Sequence, residues 1–218
     1  MFGSILPMGL TLGVVFGLLV LAEILRSKNK IHGELARKFV HVCVGSFVAT
    51  WPWYLQNNEI YVLCGLFAIG VVVSRYANIF KSIHGVKRDS WGDLMFPVGI
   101  AATAFLATEQ WIFSAAILHL SIADAAAAVV GQTVKKPKNY KVFGRNKSVV
   151  GTMTFWIISL LITSAFVILQ PGLVIAQTAT VIVWLSVIVT FVENVSPSGA
   201  DNVLVPTIAA LILNSMIV

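Results

Sequence analysis

A helix needs about 20 consecutive apolar residues to cross the hydrocarbon core of a bilayer, and runs near that length recur along the whole of this chain. Eight can be delimited, at about 5–25, 39–56, 59–76, 94–108, 111–131, 149–169, 173–192 and 202–218. The fourth and eighth are short and contain Pro97 and Pro206, which softens their ends. Only 11% of the 218 residues are charged and 58% are hydrophobic, against roughly 25% charged in a soluble domain. The expected fold is all-α: a polytopic integral membrane protein of seven to eight transmembrane helices, eight in the simplest count. One transmembrane domain over residues 1–218 accounts for it. The first run has no basic residue before it and is longer than a signal-peptide core, so it reads as a span. Cys43 and Cys64 both sit inside apolar runs and read as small buried hydrophobes, not a disulfide or metal pair.

The bases fall in three connections. The first holds Arg26, Lys28, Lys30, Arg37 and Lys38; the second Arg75, Lys81, Lys87 and Arg88; the third Lys135, Lys136, Lys138, Lys141, Arg145 and Lys147. These are all fifteen Lys and Arg of the chain, and the alternate connections, near Gln56–Glu59, Glu109–Gln110 and Gln170–Gly172, hold none. The positive-inside rule then puts the odd-numbered connections in the cytoplasm and both termini outside. Trp51, Trp53 and Trp111 fall at the outer interface, where an aromatic belt is expected. A basic face of this kind touches anionic lipid, and nothing in it points to nucleic acid. Seven of the nine carboxylates lie in or near that same side: Glu23, Glu34, Asp89, Asp93, Asp124, Glu193 and Asp201. Bases and acids clustered together suit a polyanion held with a divalent metal.

Asp124, in ILHLSIADAAAAVVG, constrains the chemistry most. No Lys or Arg lies within ten residues of it. Seven residues separate it from Gly131, which places it about 10 Å below the helix end. A charged acid facing lipid at that depth costs on the order of 2–3 kcal/mol or more, so Asp124 must face a polar cavity or a partner. By the same reasoning, Asn at 124 is expected to insert more easily and to give a folded, inactive protein. His119 is read as a packing histidine.

In GELARKFVHVCVG, Glu34, Arg37, Lys38 and His41 share one helical face. The plain account is a juxtamembrane ion pair with an interfacial histidine; the functional one is a cationic wall for phosphates with His41 as donor or proton shuttle. In KRDSWGDLMFPVGI, Asp93, Pro97 and Gly99 open the fourth run, and Pro97 frees a carbonyl that protein or water must satisfy. In VFGRNKSVVGT, Gly144, Lys147, Ser148, Gly151 and Thr152 lead into the sixth run. Ser148 is an expected N-cap, and free N–H groups at such a helix start bind phosphate. It is not a Walker A loop, because Asn146 stands directly before Lys147-Ser148. In VENVSPSGADNVLVP, Glu193 and Asp201 stand without any base, and carboxylates suit Mg²⁺. Taken together, Asp124, Glu193 and Asp201 are candidate metal ligands, and Arg37, Lys38 and Lys147 are candidate partners of a triphosphate.

These segments resemble the CTP-dependent lipid kinases: dolichol kinase, phytol and farnesol kinases and the yeast-type diacylglycerol kinase. RKFVHVCVG is similar to that family's RK-x-x-H motif through Arg37, Lys38 and His41. WGDLMFPVG resembles its second motif through Gly92, Phe96, Pro97 and Gly99. ADAAAAVVG resembles GD-x-x-A-x-x-x-G, with Ala123 in place of the Gly; GRNKSVVGT resembles G-x-KS-x-x-GT. Glu193, Asp201, Asn202 and Pro206 match an E…DN…P pattern. The match runs in order from about 34 to 206, without the extra amino-terminal spans of dolichol kinase.

The resemblance implies transfer of the γ-phosphate of CTP, or of another nucleoside triphosphate, to a lipid alcohol at the cytoplasmic face. The acceptor would be a polyprenol, dolichol or phytol-type isoprenoid alcohol, or diacylglycerol. It implies Asp124, Glu193 and Asp201 on Mg²⁺ or another divalent cation. The nucleotide would fall to Arg37, Lys38, Gly144, Lys147, Ser148, Gly151, Thr152 and Asn202. His41 or Asp124 would orient or deprotonate the hydroxyl, with Lys147 in the catalytic set. The rival within the same chemistry is a CTP:phosphatidate cytidylyltransferase-like enzyme, which attacks the α-phosphorus instead. A transporter fits less well, because ionisable groups are almost lacking in the outer half.

Overall fold

A computed structural model of the chain describes residues 5–77, 79–80, 91–168, 170, 175–197 and 199–215. Lys81, Lys87, Arg88 and Asp89 lie outside the described residues, as does part of the Gln170–Gly172 connection. Eight helices are present among the described residues. They are α1 (Ile5–Ser27), α2 (Gly33–Val48), α3 (Asn57–Ala77), α4 (Gly92–Leu106), α5 (Gln110–Thr133), α6 (Val149–Ile168), α7 (Ile175–Val195) and α8 (Asp201–Asn214). The chain is an all-α integral membrane protein. Five of the helices, α1, α3, α5, α6 and α7, have segments long and apolar enough to cross a bilayer. The others, α2, α4 and α8, have 16, 15 and 14 residues.

Each short helix has a local cause. α2 begins six residues ahead of its apolar run, at Gly33 (φ 49°), and stops before Trp51–Trp53, a 3₁₀ turn with Pro52 at its centre. Helices α4 and α8 carry Pro97 and Pro206 and make up for their length by packing on each other. Gly99 permits that contact, since a Cβ there would lie 1.9 Å from the Asn202 carbonyl oxygen. The Asn202 side-chain amide crosses the same seam and donates to the Gly92 carbonyl at 2.6 Å.

Helix α5 is the axis of the molecule, with 67% of its apolar window buried and contacts to α2, α4, α6 and α8. It contributes to two packed cores. One joins it to α6, α7 and α8 around Phe155, Leu185, Val189 and Leu213; the other joins it to α1–α4 around Trp51, Ile60, Leu63 and Ile100. Trp51, expected in the outer belt, is fully buried in the second core, stacked on Phe67. Trp53 does stand exposed at that end, with its indole N–H on the Ser114 hydroxyl. Around the outside, large apolar side chains such as Leu6, Phe105, Leu161 and Phe191 are exposed, as a lipid-facing surface requires.

Two local features depart from a plain helix bundle. Within α5, residues His119–Ala123 form a π-helical turn directly before Asp124. Between α5 and α6 the chain makes a β-hairpin, β1 (Asn139–Val142) and β2 (Arg145–Ser148), with Tyr140 opposite Lys147. Its two turn residues, Phe143 and Gly144, both have positive φ (45° and 78°). This is the handedness that matches the strand twist of a two-residue hairpin.

Candidate active site

The site lies at the end of the bundle where α2, α4, α6 and α8 begin and α3, α5 and α7 finish. A cleft of about 730 Å³ opens there, walled by these helix ends and roofed by the hairpin. It collects Arg37, Lys38, Asp124, Lys147, Ser148, Gly151, Thr152, Glu193 and Asp201 from positions up to 164 residues apart in sequence. Three expected residues do not line it. Gly144 is at the hairpin turn, where its positive φ serves the backbone. Asn202, 2% exposed, joins α8 to α4. His41 lies behind the cleft wall, buried, its Nε2 3.8 Å from an Asp124 carboxylate oxygen.

The π turn explains how Asp124 and the α2 residues meet. A π turn widens the helix, detaches carbonyls from their usual i+4 partners and is frequent at functional sites. The Leu120 carbonyl, inside that turn, accepts from His41 Nε2 at 3.1 Å. The Ala115 carbonyl accepts from His119 Nδ1 at 2.7 Å, and His119 Nε2 meets the Thr163 hydroxyl at 3.1 Å. His119 is thus the satisfied packing histidine that its sequence position indicates. Close approach is set by Gly45: a Cβ there would lie 2.3 Å from the Ser121 Cβ. With α2 pressed onto α5 at that point, Lys38 reaches Asp124 and forms a buried ion pair with it. The acid without a nearby base in sequence therefore has one in space.

The second pair comes from the hairpin. Lys147 on β2 forms an ion pair with Glu193 in the last turn of α7 and also reaches the Glu193 carbonyl, at 3.3 Å. Glu193, which follows the end of the seventh apolar run in sequence, is still helical and is 8% exposed. Three further contacts fix the hairpin to α6, to α7 and to the residue that follows α7. Tyr140 donates to the Asn194 side-chain carbonyl (2.6 Å) and meets the Thr152 hydroxyl (2.5 Å), and Arg145 donates to the Ser196 carbonyl (2.9 Å). Ser148 caps α6 as expected, accepting from the Gly151 N–H at 3.0 Å. Gly151 has a packing role too, since a Cβ there would meet the Ala127 carbonyl at 3.0 Å and the Ser148 hydroxyl at 2.8 Å. The small residues of ADAAAAVVG let α5 and α6 lie this close.

One oxygen from each of Asp124, Glu193 and Asp201 can be chosen so that all three lie within 4.8 Å of one another. Lys38 and Lys147 offset two of these charges. The third carboxylate keeps an orphan: among the described residues, Asp201 Oδ1 is buried with no hydrogen-bond partner. A buried unpaired carboxylate oxygen is costly. Hard-oxygen ligands at this spacing, one with an open lone pair, fit a small divalent cation. Arg37 beside them holds Glu34 through contacts of 2.5 and 3.2 Å. At the rim, Arg75 binds Asp93 (Nε to Oδ2 2.9 Å) and lies over the Trp91 ring at 5.3 Å. Arg75, Arg145 and the Tyr140–Asn194 contact were not singled out in sequence. Arg145 and Tyr140 flank Lys147 in the alternating segment that becomes the hairpin, which is the signal that would have found them.

Fold and site together define an integral membrane protein with a carboxylate-and-cation cleft cut into one end of its helix bundle. Over 221 aligned residues the chain is 32% identical to phytol kinase of Synechocystis sp., a match covering 94% of this chain and 93% of that protein. The chain belongs to the CTP-dependent lipid kinase family that includes phytol kinase. No family model and no solved structure matches it.

Proposed function

We propose that the protein is an isoprenoid-alcohol kinase that transfers the γ-phosphate of CTP to a lipid alcohol at the cytoplasmic membrane face, with Mg²⁺ as cofactor. The observation that carries this reading is the three-carboxylate cluster, with its unpaired Asp201 oxygen, set beside Lys38, Lys147 and Arg37 in one cleft. A phytol kinase relative of nearly equal length supports the isoprenoid acceptor.

Phosphoryl transfer is catalysed mainly by positioning and by neutralising charge on the transferred group. A divalent cation on Asp124, Glu193 and Asp201 supplies part of that neutralisation. Lys38 and Lys147, now paired with Asp124 and Glu193, exchange carboxylate for phosphate oxygens as the nucleotide binds. Arg37 completes the cationic wall, and Ser148, Gly151 and Thr152 present the α6 N-terminus to the phosphates. The acceptor hydroxyl oxygen bonds to the γ-phosphorus as the bond to the bridging β,γ-oxygen breaks, releasing CDP. The hydroxyl proton passes to a carboxylate oxygen of Asp124, since His41 Nε2 already donates to the Leu120 carbonyl.

CTP labelled separately at the α- and γ-phosphorus tests this, with phytol and phosphatidate offered as acceptors. Label from the γ position in phytyl phosphate is expected, with none from the α position. Label from the α position in a lipid would replace the kinase by a cytidylyltransferase. Asp201→Asn is expected to raise the Mg²⁺ concentration needed for half-maximal rate. An unchanged Mg²⁺ titration at full turnover would remove Asp201 from the metal site.

A further inference from the structure

A second cavity, of about 460 Å³, lies between α1, α2, α3 and α4 and differs in chemistry from the cleft. Four of its lining residues, Arg37, His41, Ser74 and Asp93, have polar side chains, and all four are at the end nearest Asp124. Arg37 and Asp93 also line the cleft, so the two cavities share a wall. His41 faces this groove while its Nε2 is 3.8 Å from Asp124. Away from that end the lining is aliphatic and aromatic, including Leu12, Val44, Val48, Phe67 and Ile100.

We infer that this groove holds the single hydrocarbon chain of the acceptor alcohol and delivers its hydroxyl end to His41 and Asp124. The inference rests on the kinase reading and adds to it where the lipid lies and which acceptor fits. On α2, Arg37 and Val48 are eleven residues apart, which is about 16 Å at ~1.5 Å per residue. That is close to half of the ~30 Å hydrocarbon core. At roughly the ~30 Å³ that a water-sized unit takes in a liquid, 460 Å³ holds about fifteen heavy atoms. One chain of about 15–20 carbons fills such a groove and runs on into the bilayer. A second acyl chain, as in diacylglycerol, would have to lie outside it. The groove suits a lipid better than a soluble ligand because its polar groups occur only where a hydroxyl must end.

Gly70 gives the test. It lines the groove, and a Cβ there meets no atom within 4 Å, so Gly70→Phe adds a ring at the groove wall from a position with room for its Cβ. Gly65, on the same helix and not among the groove residues, has equally open space, so Gly65→Phe is the control. The purified proteins are irradiated with a C20 isoprenoid alcohol carrying a diazirine in its chain, without nucleotide, and the adducts are mapped. Adducts around Val44, Val48 and Phe67 are expected in the wild type and Gly65→Phe, and their loss in Gly70→Phe. In turnover, Gly70→Phe should raise the KM for the C20 alcohol about tenfold, the factor carried by contact with about two methylenes. The KM for CTP should not move. Equal labelling of all three proteins overturns the inference, as does displacement of the probe by diacylglycerol as readily as by phytol. If the groove is labelled while no γ-label reaches lipid, the lipid site stands and the kinase reading falls.

Discussion

The proposed chemistry rests on a few charged side chains whose pairing changes what each would do alone. Asp124 and Lys38 are 8% and 4% exposed and form an ion pair. The sequence indicates an acid that Asn could replace with a gain in ease of insertion; the pairing reverses that expectation. Asp124→Asn leaves the Lys38 ammonium buried without its counter-charge, and removing one partner of a buried pair costs about 3–5 kcal/mol. Thermal melting in detergent should therefore show Asp124→Asn destabilised, with Lys38→Met/Asp124→Asn recovering most of the loss. Both variants should lose phosphoryl transfer by about 10²-fold or more. A double variant that melts no higher than Asp124→Asn alone would show that the pair contributes nothing to stability. Much of this site was legible in the sequence. Asp124, Glu193 and Asp201 were identified by the absence of nearby bases, and their convergence on one cleft follows from spans that return to the same end. The pairing of Lys38 with Asp124 was not legible, because it joins residues 86 apart through side chains alone.

Among the elements, the contact of α2 with the π turn of α5 decides where His41 and Lys38 stand. Gly45 and Ser121 touch so closely that no side chain fits at 45 without displacing one helix. Overpacking of this kind costs about 1–3 kcal/mol. Gly45→Val should lower both the melting temperature and the kinase rate, and adding Ser121→Gly should recover part of each. If Ser121→Gly gives no recovery, the helices are not held by this contact. The helices themselves were readable from their apolar runs to within a few residues, apart from α2. The π turn was not: an inserted residue rotates the faces of a helix by about 100°, but this run is apolar nearly all round, so the rotation leaves no mark in its pattern. The hairpin was missed for a different reason: its Phe143-Gly144 turn lacks the Asn-Gly or Asp-Gly pair that marks such turns. Phe143 pays for its positive φ at an exposed tip, and Tyr140 and Lys147 hold the strands on α7 instead.

At the scale of the whole molecule, the eight described helices give an even number of passes, so both ends of the chain share a side if every helix crosses. The helix ends that form the cleft are those joined by the basic connections after α1, α3 and α5, and by the acidic one after α7. The opposite ends are joined by connections without a base. In the orientation we propose, the bases stay in the cytoplasm, the cleft opens to the nucleotide pool, and the termini and the Asn57 and Glu109 connections face out. The short helices α2, α4 and α8 are where this could fail. A helix of 14–16 residues spans only about 21–24 Å at ~1.5 Å per residue, less than the ~30 Å core, and needs local thinning or the flanking turn to complete a crossing. Single cysteines decide the matter, placed at Lys135, Asn57 or Glu109 in a background lacking Cys43 and Cys64. In sealed right-side-out vesicles a membrane-impermeant maleimide should reach the cysteines at 57 and 109 and miss the one at 135, which should label only after permeabilisation. If α2 did not cross, a further single cysteine at Lys30, in the connection before α2, would label from the same side as the one at 57. If α4 did not, 57 and 109 would label from opposite sides. Either pattern would break the alternation on which the placement of the cleft depends.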